Sequence, residues 1–174
     1  MDRKVHKSRI LVAGIGNLLR KDEGIGVHLI HELEKFKLPA GVTLLDAGTG
    51  GISLIHLMEQ ASKVIFIDAA QMGKEPGIFI RFTPEEVRLV NDKFNFSFHQ
   101  LGLPQVLQLA AHLDISCKVI IFGVQPGDLG WGVKLSPPLK RALPEITMAV
   151  LREIDNVGYI KSSSTLNPDS PLPT

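Results

Sequence analysis

The chain has 174 residues, the size of one ordinary domain, and at that length folding buries roughly 70% of the surface the unfolded chain exposes. Lys+Arg 19 against Asp+Glu 18 leaves a formal charge of +1, which excludes a general electrostatic attraction to nucleic acid or an anionic membrane. A hydrophobic fraction of 44% beside 21% charged residues excludes a wholly disordered or fibrous chain, and the single Cys117 excludes an intramolecular disulfide or a zinc site built from several thiolates.

The N-terminus imitates a secretory signal, with Arg3, Lys4, Lys7 and Arg9 ahead of Ile10-Leu11-Val12-Ala13. Gly14, Gly16 and Asn17 break that stretch and Arg20-Lys21-Asp22-Glu23 follow at once. No run reaches bilayer length, so a cytoplasmic protein of a reducing compartment, without membrane partners, is expected. Residues 9–13, 42–46, 64–68 and 119–124 are short, nearly continuous apolar runs, the pattern of parallel strands covered on both faces. Helical segments separate them. Ile25, Leu29, Leu33 and Phe36 recur at helical spacing over 25–38, a shorter helix follows over 52–60, and 103–113 carries Val106, Leu107, Ala110 and Leu113 with Pro104 in its first turn. Residues 77–82 alternate and follow the run at 64–68 too soon for a helical crossover, which implies an antiparallel hairpin partner at a sheet edge. A short helix over 84–89 and then a loop to Phe98 are expected. Cys117 opens an apolar strand and reads as a buried, inert thiol. Ser136 is a good N-cap and Pro137 a good first residue for a last helix bearing Leu139, Leu143, Ile146, Val150 and Ile154. Residues 1–160 form one α/β domain with a mostly parallel sheet. Residues 161–174, with four Ser and three Pro, are expected to be a disordered tail.

In such a sheet, ligands bind beyond the carboxyl ends of the strands, so the polar residues after each strand carry the functional information. Asp68 ends an apolar strand, where a bare carboxylate is costly unless it is hydrogen-bonded, paired or metal-bound. Glu23, in the first loop, and His99, before the helix at 103, would complete an O,O,N set with open positions. That set suits nickel or zinc better than calcium. The bland alternative has Asp68 capping a helix or accepting backbone N–H bonds, and spacing does not choose between the two. Asp22 is a natural N-cap for the helix at 25, so either it or Glu23 is structural. Asp46 either positions a site residue or holds the glycine-rich turn behind it. His28 and His31, one helical turn apart, read as a solvated or half-buried pair. Trp131 reads as a loop-packing anchor, with a partner contact as the alternative.

Gly14-Ile15-Gly16 opens like a dinucleotide fingerprint, but Leu19 stands in place of the third glycine. Leu45-Asp46-Ala47-Gly48-Thr49-Gly50-Gly51 followed by Asp68 is similar to the first motif of S-adenosylmethionine-dependent methyltransferases. A whole strand and helix precede it, however, and too little chain follows for that fold.

The ordered set Gly14-Ile15-Gly16-Asn17, Asp22-Glu23-Gly24-Ile25-Gly26, Asp46-Ala47-Gly48-Thr49, Asp68-Ala69 and His99-Gln100-Leu101-Gly102 resembles the maturation endopeptidases of NiFe hydrogenases over roughly residues 9–155. The resemblance implies a three-layer α/β/α sandwich with a mostly parallel five-stranded sheet, including the antiparallel edge strand. It implies removal of a C-terminal extension from the NiFe-hydrogenase large-subunit precursor once nickel is in place. Glu23, Asp68 and His99 then fall on the family's nickel-contacting positions, with nickel carried by the precursor, and with Asp46 they form the expected catalytic set. Ala47 stands where the family more often has glycine. With no Ser-His-Asp or Cys-His arrangement in view, the metal becomes the source of electrophilic power. The alternative from another class is a nickel-binding checkpoint module that recognises the precursor without cutting it. A monomer that meets its partner transiently is expected.

Overall fold

The computed structural model describes residues 8–51, 53–86, 97–98 and 103–155. Five strands form one mixed sheet in the order β2-β1-β3-β6-β4: β1 (Ser8–Gly14), β2 (Val42–Asp46), β3 (Ala61–Gln71), β4 (Phe79–Phe82) and β6 (Lys118–Val124). A two-residue strand, β5 (Ser97–Phe98), pairs antiparallel with Ala70 and Gln71 at the end of β3. The helices are α1 (Ile25–Leu33), α2 (Ser53–Gln60), α3 (Leu103–His112) and α4 (Pro137–Asp155).

Strand alternation splits the core into two layers. Leu11, Ala13, Val64, Phe66 and Ile121 point to one face, where α2 brings Leu54, Ile55 and Met58 and α3 brings Val106 and Ala110. Ile10, Val12, Ile65, Ile67, Ile120 and Phe122 point to the other, where α1 brings Ile25, Leu29 and Leu33 and α4 brings Leu139, Ile146 and Val150. The three-layer sandwich expected from the sequence is present, with β1, β2, β3 and β6 parallel.

Several local expectations need correction. β4 is an antiparallel edge strand, but its partner is β6, with Phe79 opposite Val124 and Phe82 opposite Ile121. The link from β3 to β4 passes over the end of β6, where the Gln125 side chain accepts the N–H groups of Met72 and Lys74 and its backbone exchanges bonds with Gly77 and Ile78. This clamp carries the chain one strand further than a hairpin would. Secondly, α1 ends at Leu33 instead of 38, leaving Phe36 exposed beyond it. Thirdly, Ser136 precedes α4 as expected, but its Oγ caps nothing; its carbonyl takes the first helical bond, from Lys140 N.

The start of the helix expected over 84–89 is visible as a reciprocal capping box, in which Thr83 N–H donates to Glu86 and Glu86 N–H donates to Thr83 Oγ1. Residues 97–98, expected in a loop, are strand. Cys117 is half-buried against the α2/α3 layer. The expected tail, 161–174, lies outside the described residues.

Candidate active site

The carboxyl ends of β1 and β3 lie side by side, tied where Ile15 N–H donates to Ile67 O at 2.8 Å. The chain leaving β1 must then double back beneath them, and two glycines permit it. Gly16 has φ +147, and a Cβ there would meet the Glu23 carbonyl at 1.9 Å; one on Gly26 would meet the carbonyls of Ile15 and Ile67 at 2.3 Å each. Close packing of backbone on backbone thus seats the 3-10 turn Lys21–Gly24 under the end of the sheet.

Two neighbouring carboxylates in that turn have opposite surroundings. Asp22 is fully buried and satisfied: it accepts N–H bonds from Gly127 at 2.9 Å, Asp128 at 2.8 Å and Ser136 at 2.7 Å. It is the structural member of the pair, but it does not cap α1 as expected, since Gly24 occupies that N-cap; its bond to Ser136 N–H lies at the start of α4 instead. Its partners lie more than a hundred residues away along the chain, beyond the reach of any local pattern.

Glu23 is 1% exposed, and neither carboxylate oxygen has a hydrogen-bond partner among the described residues; the nearest cation is Arg20, whose Nε stands 3.6 Å from Oε2. Asp68, expected to end its strand, lies three residues inside the end of β3, opposite Gly123; it is 0% exposed and equally without a hydrogen-bond partner among the described residues. Burial raises its pKa well above the usual carboxylate value, and the Glu23 charge adds to that rise. The Ala69 N–H acts the other way, though its geometry falls short of a hydrogen bond. For the bland reading of Asp68 as a cap or acceptor, the described residues offer only this Ala69 N–H. Two buried, interacting carboxylates without a hydrogen bond among the described residues fit a cation, whose charge would favour the ionised form of Asp68.

Of the residues expected at the site, the structure brings Glu23 and Asp68 together. His99 lies outside the described residues, and among those described no cluster of three or more His, Cys, Asp and Glu residues forms a metal site. Asp46 is exposed at the end of β2 and its Oδ1 accepts the Gly48 N–H at 2.8 Å, holding the turn in which Gly48 has φ +50. His28 is half-buried and His31 exposed; burial, then the neighbouring His31, lowers the His28 pKa. Trp131 is 76% exposed and packs into no core, which overturns its reading as an anchor. Arg20 had no role assigned from the sequence; Glu23 is only three residues on, but the partner that fixes its guanidinium, Leu129 O at 2.8 Å, is more than a hundred residues away.

A three-layer α/β/α domain with a pair of buried carboxylates toward the carboxyl edge of its parallel strands is the class of site these features define. The profile of the HycI hydrogenase maturation protease family matches residues 27–153. The hydrogenase expression/formation protein HupD of Bradyrhizobium diazoefficiens is 38% identical over 146 residues, 82% of this chain and 76% of that protein. The coenzyme F420 hydrogenase subunit delta of Methanothermobacter thermautotrophicus is 31% identical across 86% of this chain and 96% of its own. Among solved structures, the hydrogenase maturating endopeptidase HybD from E. coli superposes with a TM-score of 0.76 at 33% identity, covering 86% of this chain and 94% of that one. The chain belongs to the hydrogenase maturation protease family, and its enzyme class is endopeptidase. No described helix is long and apolar enough to cross a membrane.

Proposed function

We propose that this endopeptidase removes the C-terminal extension of a NiFe-hydrogenase large-subunit precursor after nickel insertion, and that it recognises the loaded precursor through Glu23, Asp68 and His99. The observation that carries this reading is the pair of buried carboxylates without a hydrogen bond among the described residues, in a chain of this family: their desolvation is a cost that a cation would offset. Nickel is cargo here, part of the substrate. His99 enters by its match to the family's histidine. Asp46, engaged with Gly48, acts by holding the turn beside the site. The metal, seated against these ligands, would polarise the scissile carbonyl or lower the pKa of a bound water, with a carboxylate as general base. Protease family membership displaces both the methyltransferase-like and the non-cutting checkpoint alternatives.

The test is mass spectrometry of the precursor before and after incubation with the enzyme. Cleavage of the nickel-loaded precursor with the metal-free form left intact is expected. Equal cleavage of both would overturn recognition through the metal, and cleavage of neither would overturn the proteolytic role.

A further inference from the structure

The loop after β1 and the loop before α4 are stitched together. Gly132 N–H donates to Leu19 O at 2.9 Å and Lys21 N–H to Gly132 O at 2.7 Å, while Asp22 N–H donates to Asp128 O at 3.1 Å. Lys21, at φ +42, carries backbone strain in the middle of this seam. The stitching places three apolar side chains in solvent on one rim: Leu19 and Val133, each 58% exposed, and Trp131. Single exposed apolar residues need no explanation, but three from two loops fixed to each other do. The patch is continuous with the active site through Arg20, whose guanidinium lies 5.4 Å from the centroid of the Trp131 ring while its Nε faces Glu23. On its other side Val133 borders a cavity of about 350 Å³ that Lys134 and Lys140 also line. Neither lysine has an ion-pair partner among the described residues.

We infer that the Leu19, Trp131 and Val133 rim, with Lys134 and Lys140 beside it, is the docking surface for the hydrogenase precursor, and that it takes a precursor segment presenting an apolar side chain flanked by carboxylates. This inference rests on the proteolytic reading above. A tryptophan stacked on an arginine is a strong anchor when covered, since burial would remove the ring from water and strengthen the cation–π contact together. Anchoring beside Arg20 would present the loaded metal to Glu23 on the same rigid seam. The two lysines supply the charge complementarity that selects an acidic segment and speeds encounter.

Because Trp131 is the only tryptophan in the chain, 5-fluorotryptophan labelling gives one fluorine resonance, and unlabelled precursor contributes none. That resonance is expected to shift or broaden on adding nickel-loaded precursor. Trp131→Ala should raise KM about tenfold while kcat changes less than about twofold, the signature of a lost anchor. Added salt should raise the wild-type KM, and the double change Lys134→Glu, Lys140→Glu should remove that dependence. A resonance that stays still while the precursor is being cleaved overturns the docking surface. So does one that moves only with the enzyme's own concentration, which would assign the rim to a second copy. A KM indifferent to salt and to both lysines overturns the acidic segment. A fluorine shift without cleavage would leave docking standing and sink the proteolytic reading, so the two fail separately.

Discussion

Buried charges gather at both ends of β3, and they are handled in opposite ways. At its beginning, Lys63 donates to Glu153 Oε1 at 2.5 Å and to Glu153 O at 2.7 Å, and Arg81 completes the set with 2.7 Å to Oε2. Burial pushes the Glu153 pKa up, but hydrogen bonds and charge from Arg81 and Lys63 win and hold it below the usual carboxylate value. Toward the other end, Asp68 and Glu23 sit without donors among the described residues, and burial drives Asp68 upward. The first end joins β3, β4 and α4 and reads as architecture. The second leaves two buried carboxylates without a hydrogen bond, and burial keeps the proton on Asp68 to higher pH than usual. Burial with unequal satisfaction separates the structural end of the strand from the end where chemistry is expected.

The comparison breaks if the two ends respond alike to mutation. Glu153→Ala should destabilise by about 3–5 kcal/mol in urea melts, because it strands a buried ammonium, while folded enzyme keeps its activity. Replacing both Lys63 and Glu153 with Met and Leu should recover most of that loss. Asp68→Asn should do the reverse: processing of loaded precursor falls about 100-fold, the scale of one lost preorganised electrostatic contact, while the metal-free enzyme melts at the same or a higher temperature. A lower melting temperature with activity retained would make Asp68 structural. Asp22→Ala tests the neighbouring satisfied carboxylate; leaving three N–H groups unpaired should cost about 2–3 kcal/mol and loosen the loop bearing Trp131, seen as sharpening of its fluorine signal.

Acid sharpens the contrast further. The folded chain holds the Asp68 proton to higher pH than the unfolded chain, so ionising it costs stability above the folded pKa, and that cost fades as pH falls through it. For Glu153 the sign is opposite: its contribution is full above the unfolded carboxylate pKa and is lost as pH falls through the lowered folded value. Melting temperatures across pH should therefore show the advantage of Asp68→Asn over wild type shrinking on acidification. The advantage of wild type over Glu153→Gln should shrink only in stronger acid. The smallest effect on processing is expected from Cys117→Ser, whose thiol lies just ahead of β6, at the Lys63 end of β3 and far from the carboxyl edge, and whose loss should leave processing unchanged.

Much of the frame was legible because strand alternation and helical period are local. Residues 42–46 form β2 as expected, and the expected strand at 119–124 differs from β6 by one residue. The antiparallel direction of 79–82 was legible as well. Its partner was not, because sequence spacing shows that two strands are close along the chain and cannot show that a third, forty residues later, slots between them. At the site, the same limit separates Glu23 and Asp68, which placement toward strand ends could nominate, from Asp22, whose three donors belong to another loop, and Arg20, whose ring partner Trp131 comes from that same distant loop. Chemistry at strand ends leaves a mark in sequence; the scaffolding that orients it is non-local.

That late insertion also has a bearing on how the protein is made. Until β6 emerges from the ribosome, β3 lacks the neighbour that pairs Lys63 through Ala69, and β4 has nothing to pair with. A nascent chain halted before residue 118 thus carries two open hydrogen-bonding margins, one of them wholly apolar from Val64 to Ile67. Chaperone demand during synthesis should peak in that interval and fall once β6 has closed the gap.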